Sequence, residues 1–222
     1  MSSTELILVR HGETAWNRAR RIQGSIDIPL SPVGEAQALA AARRLAAERI
    51  DALWSSDLSR ARQTAEPIAQ ALGLTPIVDA RLRERMYGDF EGRDHDTLAR
   101  DFAEAYARLR SRDPAFALPG GGESLAVFHA RSHEVLSDIA RRHPGQRVAI
   151  VTHGGVLDNA WRIGAGLPLD LPRRVEMLNA SLNRIRLEGG RWSIVGWADV
   201  AHLDASLDEV DGGPAGRIPP PA

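Results

Sequence analysis

Arg147-Val148-Ala149-Ile150-Val151-Thr152, followed at once by His153-Gly154-Gly155, is the stretch that decides the architecture. A short apolar run with β-branched residues reads as a buried strand, and the glycine pair reads as the start of a helix. The same pattern stands near the N-terminus, where Glu5-Leu6-Ile7-Leu8-Val9 ends at Arg10-His11-Gly12. Between the two, Ser31-Pro32 opens a helix, with Ser as N-cap and Pro at the first helical position. That helix is predicted to run to about Glu48, with Ala38, Leu39, Ala42, Leu45 and Ala46 on its inner face. Ala52–Trp54 reads as a second strand ending at Ser55-Ser56. Asp57 is then expected to cap a helix carrying Leu58, Ala61, Ala65, Ile68 and Leu72 as its apolar stripe. Thr75–Val78 is a weaker third strand.

Further along, Arg93 to about Arg112 reads as helical and largely polar. Pro119-Gly120-Gly121-Gly122 breaks the chain, and Glu123-Ser124 begins an amphipathic helix ending before Pro144-Gly145. Leu182–Leu187 and Trp192–Trp197 alternate around Gly189-Gly190, the signal of a hairpin. Strands alternating with helices imply an α/β layer fold with a largely parallel sheet. In such sheets ligands bind outside the carboxyl ends of the strands. The residues expected there are Arg10-His11-Gly12, Ser55-Ser56 leading to Arg60, Arg83-Glu84-Arg85, and His153-Gly154. Two histidines, several arginines and a glutamate on one sheet edge make a phosphate-handling set.

Composition narrows the chemistry. The 222 residues suit one domain, with 43% hydrophobic and 26% charged residues and a formal net charge of −1. No global basic field draws the chain to nucleic acid or membrane, and no apolar run nears the roughly 20 residues a bilayer span needs. No basic region precedes the first apolar stretch, so no secretion signal is expected and the location expected is cytoplasmic. There is no Cys, hence no disulfide, thiolate zinc site or cysteine nucleophile. There is also no Lys, which excludes a Schiff-base lysine and a P-loop. Phosphate must be handled by Arg, His and backbone N–H groups. The all-Arg usage itself is accounted for by a GC-rich genome, so only particular positions inform.

His11 follows a buried strand, is preceded by Arg and is followed by Gly, which lets the backbone approach a ligand. A neutral imidazole can attack phosphorus, giving a phosphoramidate that water later cleaves, while Arg10 neutralises charge on the phosphoryl oxygens. His153 is set similarly, and its helix start, at Gly154, offers free N–H groups to an anion; protonated, His153 could donate to a phosphoryl oxygen. The competing reading of the two histidines is a metal site, but no third ligand stands at suitable spacing. Arg60 is placed near a strand end and off the buried face, against the alternative of a solvated helix arginine. Near a phosphate dianion a carboxyl group is expected to keep its proton, since like charge disfavours ionisation. Glu84 could therefore protonate a leaving alkoxide and then act as base on water, or could simply pair with Arg83 or Arg85.

Leu8-Val9-Arg10-His11-Gly12-Glu13-Thr14, with Trp16-Asn17 following, resembles the signature of the histidine phosphatase superfamily, also called the phosphoglycerate mutase-like family. The likeness continues in order through Gln23-Gly24, Leu30-Ser31-Pro32-Val33-Gly34, Ser55-Ser56-Asp57-Leu58-Ser59-Arg60-Ala61, Leu82-Arg83-Glu84 and Thr152-His153-Gly154-Gly155, over about residues 4–203. It implies that His11 is the phosphorylated nucleophile, that Arg10, Arg60 and His153 complete the phosphate pocket, and that Glu84 is the proton donor. Asn17 and the Gln23-Gly24 turn would contact the phosphoryl group or substrate. The implied fold is a three-layer α/β/α sandwich, its mostly parallel sheet containing one antiparallel strand. The expected organisation is one histidine phosphatase domain over 1–207, with about 90–122 a helical insertion over the site and 208–222 a disordered tail.

The resemblance implies no metal and no cofactor for a phosphatase, and 2,3-bisphosphoglycerate only for a mutase. Met86-Tyr87-Gly88-Asp89-Phe90-Glu91-Gly92 and Pro119–Ser124 resemble the phosphatase branch. Cofactor-dependent mutases carry a longer insertion there, with an adjacent arginine pair; this chain has Arg108, Arg110 and Arg112, separated. The expected activity is hydrolysis of a small-molecule phosphomonoester through phosphohistidine on His11. The alternatives are a cofactor-dependent phosphoglycerate mutase and a catalytically silent phosphate-binding module. The partner expected is a small phosphorylated metabolite, with a homodimer allowed and neither nucleic acid nor membrane expected.

Overall fold

The computed structural model describes residues 3–203, so the expected tail at 208–222 lies outside the described residues. Six strands form one sheet: β1 (Thr4–Arg10), β2 (Ala52–Ser55), β3 (Ile77–Val78), β4 (Arg147–Thr152), β5 (Leu182–Glu188) and β6 (Arg191–Asp199). Their order is β3-β2-β4-β1-β5-β6. β1, β2, β3 and β4 are mutually parallel, β5 runs antiparallel to β1, and β6 runs antiparallel to β5. One strand thus opposes the rest.

Alternation along β1 sends successive side chains to opposite faces. Leu6 and Leu8 join Val148 and Ile150 against α6 (Leu125–Arg142) and α7 (Gly154–Ala165), through Val135, Leu136, Ile139, Val156 and Leu157. Ile7 and Val9 join Ala149 and Val151 against α2 (Pro32–Ala46) and α3 (Ser59–Leu72), through Ala41, Ala42, Leu45, Ala61, Ala65 and Ile68. Helices cover both faces, giving the three-layer α/β/α sandwich. A third apolar cluster of Phe90, Leu98 and Leu118 lies under α4 (His95–Asp101) and α5 (Ala103–Arg110). No helix among the described residues is long and apolar enough to cross a membrane.

Several local expectations need correction. Leu39 and Ala46 are exposed on α2; Gln37, Ala38, Ala41, Ala42 and Leu45 face inward. Asp57 does not cap α3. Its carboxylate takes two bonds from Arg83, at 2.7 and 2.6 Å, and the cap comes from across the fold, where Asp27 accepts from the Ser59 N–H at 2.7 Å. The third strand shrinks to two exposed edge residues, Ile77 and Val78. The helix expected over 93–112 breaks at Phe102, whose φ of −133° and ψ of 35° leave the helical region. The break lets its ring meet Phe90 edge-on at 5.4 Å. A short helix α1 (Ala15–Arg18), closed by a Thr14–Asn17 capping box, was not expected.

Candidate active site

The carboxyl ends of β1, β2 and β4 deliver Arg10-His11, Ser55-Ser56 and Thr152-His153 to one edge of the sheet. The His11 N–H donates to the Thr152 carbonyl at 2.9 Å, and Asn179 Nδ2 donates to the His11 carbonyl at 2.9 Å. The next residue must be glycine for a reason beyond ligand approach: a Cβ on Gly12 would lie 2.3 Å from the Gly34 carbonyl oxygen. The N-terminus of α2 is therefore pressed against the turn that carries His11. Thr64 and Gln37 accept from the N–H groups of Gly12 and Glu13, at 3.0 and 2.8 Å.

The His11 and His153 rings are neighbours, their centroids 5.2 Å apart and their planes tilted by 58°. His11 Nδ1 lies 2.7 Å from the Gly12 carbonyl, which can only accept. The proton therefore sits on Nδ1, and Nε2 keeps its lone pair. Burial, then the charges of Arg60 and Arg10, hold His11 well below the usual histidine range. His153 is held low by burial, Arg60, His11 and Arg10, which favours its neutral form in the free site. Its Nε2 meets Ser56 Oγ at 2.9 Å, while Nδ1, buried, has no protein partner.

Arg60 is fully buried, which corrects its expected position off the buried face. It donates to the carbonyls of Ile26 (2.9 Å) and Gly24 (2.7 Å), propping the Gln23-Gly24 turn. That turn needs φ +53° at Gly24, and a Cβ there would strike Glu91. Glu91 accepts from the N–H groups of Ser25 and Tyr87, at 2.8 and 2.9 Å, so it ties the turn to the segment after Glu84. Arg10 donates to the Met177 carbonyl. Asn17 spends its carboxamide oxygen on the Thr14 cap, which leaves Nδ2 as the group to offer a ligand.

Glu84 pairs with neither neighbouring guanidinium: Arg83 binds Asp57, and Arg85 donates to the Glu123 carbonyl. Its carboxylate instead accepts from the N–H of Arg85 (2.8 Å) and of Gly155 (3.0 Å), in the first turn of α7. A Cβ at residue 155 would lie 2.1 Å from Glu84 Oε1 and 2.7 Å from the Phe128 ring. Gly155, not Gly154, lines the cavity; Gly154 lies behind it against Arg10.

These groups open into a cavity of about 610 Å³ lined by Arg10, His11, Asn17, Gln23, Gly24, Arg60 and Glu84. Its remaining wall includes residues that sequence reasoning left out: Arg21, Tyr87, His95, Tyr106, Phe128, Asp158 and Arg173. Arg110 and Arg112 line it too, whereas Arg108 turns to Asp113 and the Phe116 ring. Asp158 is a hub. It binds Arg112 at 2.8 Å and Arg162 at 3.2 Å, with Arg173 at 3.7 Å. Burial works to raise its pKa, but Arg173, Arg112 and Arg162 together hold it below the usual carboxylate value. Only the Asp158–Arg162 spacing on one helix was visible in the sequence; the other arms come from distant segments.

A metal-independent phosphoserine phosphatase of Arabidopsis thaliana is 42% identical over 91% of this chain and 84% of its own. A probable phosphoglycerate mutase of Cronobacter sakazakii is 40% identical over 93% of this chain and 98% of its own. The solved structure of a mycobacterial glucosyl-3-phosphoglycerate phosphatase superposes with a TM-score of 0.79 at 33% identity, covering 88% of this chain and 99% of that one. The sequence profile of the histidine phosphatase superfamily, branch 1, matches residues 6–200, and with the fold and these relatives it establishes that the chain belongs to that family.

Proposed function

We propose that this chain hydrolyses a small phosphomonoester through a phosphohistidine on His11. The chain is a phosphomonoesterase, and the observation that carries the mechanism is the setting of the His11 ring: Nδ1 on the Gly12 carbonyl, which leaves the lone pair on Nε2, with burial beside Arg60 and Arg10 favouring the neutral form. In the first half-reaction that pair forms the N–P bond as the ester P–O bond breaks, and Glu84 gives its proton to the leaving alkoxide. In the second, the Glu84 carboxylate takes a proton from water, the water oxygen bonds to phosphorus, and the N–P pair returns to Nε2. Arg10, Arg60 and the turns at Asn17 and Gln23-Gly24 hold the phosphoryl oxygens. His153, neutral in the free site, takes up a proton when the dianion arrives, because opposite charge favours the charged form. No metal is required: guanidiniums beside both histidines repel a cation.

The substrate we infer is a phosphorylated metabolite with a second negative group. Seven arginines line the cavity against two carboxylates, Glu84 and Asp158, more positive charge than one phosphate uses. The volume suits a small molecule, and the relatives' names denote phosphorylated acids. A cytoplasmic location fits such a metabolite. A phosphoglycerate mutase primed by 2,3-bisphosphoglycerate is the second reading, favoured by the relative of that name and by Arg110 and Arg112 in the cavity.

His11→Ala is expected to abolish turnover, and rapidly quenched wild type should carry acid-labile phosphate on His11. Near-wild-type turnover in that variant defeats the mechanism. Wild type should release inorganic phosphate from 3-phosphoglycerate or another small ester faster than it interconverts phosphoglycerates with 2,3-bisphosphoglycerate present; the opposite ranking selects the mutase.

A further inference from the structure

Glu84 stands in a loop between the 3-10 turn at Ala80–Leu82 and that at Gly88–Phe90, with no helix or strand of its own to hold it. General acid catalysis needs its carboxyl placed to within a fraction of an ångström. Behind the loop lies Arg131, on α6, and all five of its N–H donors are used. Nη1 donates to the carbonyls of Arg81 (2.8 Å) and Arg83 (3.0 Å), and Nη2 to that of Glu84 itself (3.3 Å). The other two bonds form a fork on the Glu123 carboxylate, from Nε to Oε1 at 3.0 Å and from Nη2 to Oε2 at 2.8 Å.

Glu123 closes the grip from the other side. Its Oε2 accepts from the Met86 N–H at 3.0 Å, and its own N–H donates to the Met86 carbonyl at 2.8 Å. Its carbonyl takes both Nε and Nη2 of Arg85, at 3.0 and 2.7 Å. The guanidinium of Arg131 also lies 4.9 Å from the Phe128 ring centroid, and that ring would touch any side chain at residue 155. Every side-chain hydrogen bond of the pair ends on residues 81–86 or on the pair itself. Neither Arg131 nor Glu123 lines the cavity.

We propose that Arg131 and Glu123 form a clamp whose function is to position the Glu84 carboxyl for proton transfer, without touching substrate. The proposal rests on Glu84 being the acid and base of the reaction. Lysine keeps the charge at 131 but has three donors on one atom and cannot span three carbonyls and a carboxylate.

The test compares 3-phosphoglycerate, whose alkoxide leaves only when protonated, with the p-nitrophenolate burst from p-nitrophenyl phosphate, which reports formation of phosphohistidine alone. In wild type, Glu84→Gln, Arg131→Lys, Glu123→Gln and the double variant Glu84→Gln/Arg131→Lys, both rates are measured. Arg131→Lys is expected to slow 3-phosphoglycerate hydrolysis about 10²-fold, the usual cost of an ångström of misplacement, and to leave the burst within about 3-fold, the effect on an activated leaving group being small. In the Glu84→Gln background it should add nothing to the alkyl ester's loss. Equal losses on both substrates, or full additivity with Glu84→Gln, overturn the clamp while the Glu84 reading stands. If Glu84→Gln itself fails to discriminate between the substrates, the reading of Glu84 falls and the clamp with it. Should Arg131→Lys not fold, Glu123→Gln carries the same comparison, with a smaller loss in the same direction.

Discussion

In the proposed mechanism two short-range facts suit His11 to be the nucleophile, one a hydrogen bond and one electrostatic. The backbone turn at Gly12 puts a carbonyl against Nδ1, which selects the tautomer, and burial beside Arg60 and Arg10 keeps the ring unprotonated. A free histidine would be half protonated at about pH 6.5. The ring resonances of His11 and His153 should therefore show no titration through that pH in the free protein, and a midpoint there for His11 would contradict the electrostatic account. Adding vanadate or phosphate should move His153 toward its protonated shifts, because the dianion offsets the guanidiniums that depress it. The fully buried Arg60 illustrates how a residue can do two things: it supports the Gly24 turn through the carbonyls of Gly24 and Ile26 while lining the same cavity as His11.

At the level of elements, the first turn of α7 does the most. Its N-terminal N–H groups have no intrahelical partners, and the one on Gly155 is given to Glu84. Gly155→Ala is expected to fold, since alanine favours a helix by about 1 kcal/mol over glycine. The added methyl must displace Glu84 or Phe128, so alkyl phosphate hydrolysis should fall by about 10²-fold or more, the lower range for lost general acid catalysis. Unchanged turnover would mean that the contact yields without consequence. Asp158 joins α7 to Arg112, just past α5, and to Arg173 in the loop before β5. Removing one partner from a buried ion cluster costs about 3 kcal/mol or more. Asp158→Asn should therefore lower the Tm by roughly 6–12 °C for a chain of this size, and a melting curve matching wild type would show the hub to be energetically idle.

Over the whole molecule, stability should fall on acidification. His11, His129, His153 and His202 all have depressed pKa values in the folded state, each primarily through burial. A base with a lowered folded pKa binds fewer protons folded than unfolded, so stability is present above the unfolded pKa of about 6.5 and is lost below it. The Tm at pH 5.5 is expected below that at pH 7.5, and an equal or higher value would show that these rings do not stay neutral. Activity should survive a chelator; loss on EDTA with recovery on Zn²⁺ or Mn²⁺ would restore the metal reading of the histidine pair. By itself the sequence determined an α/β layer fold with a largely parallel sheet, the strand ends that carry His11 and His153, the hairpin and most helix starts, because alternation, Ser and Gly signals and apolar runs act over a few residues; the three-layer sandwich was implied by the family resemblance. It could not determine that Phe102 breaks a helix, that Asp27 rather than Asp57 caps α3, or that Arg60 is buried. Nor could it choose between an ion pair and the N–H groups of α7 as partners of Glu84, or reveal the Asp158 hub and the Arg131–Glu123 grip. Each of those depends on which polar group from a distant segment reaches a buried donor or acceptor first, and that competition is settled only when the layers pack.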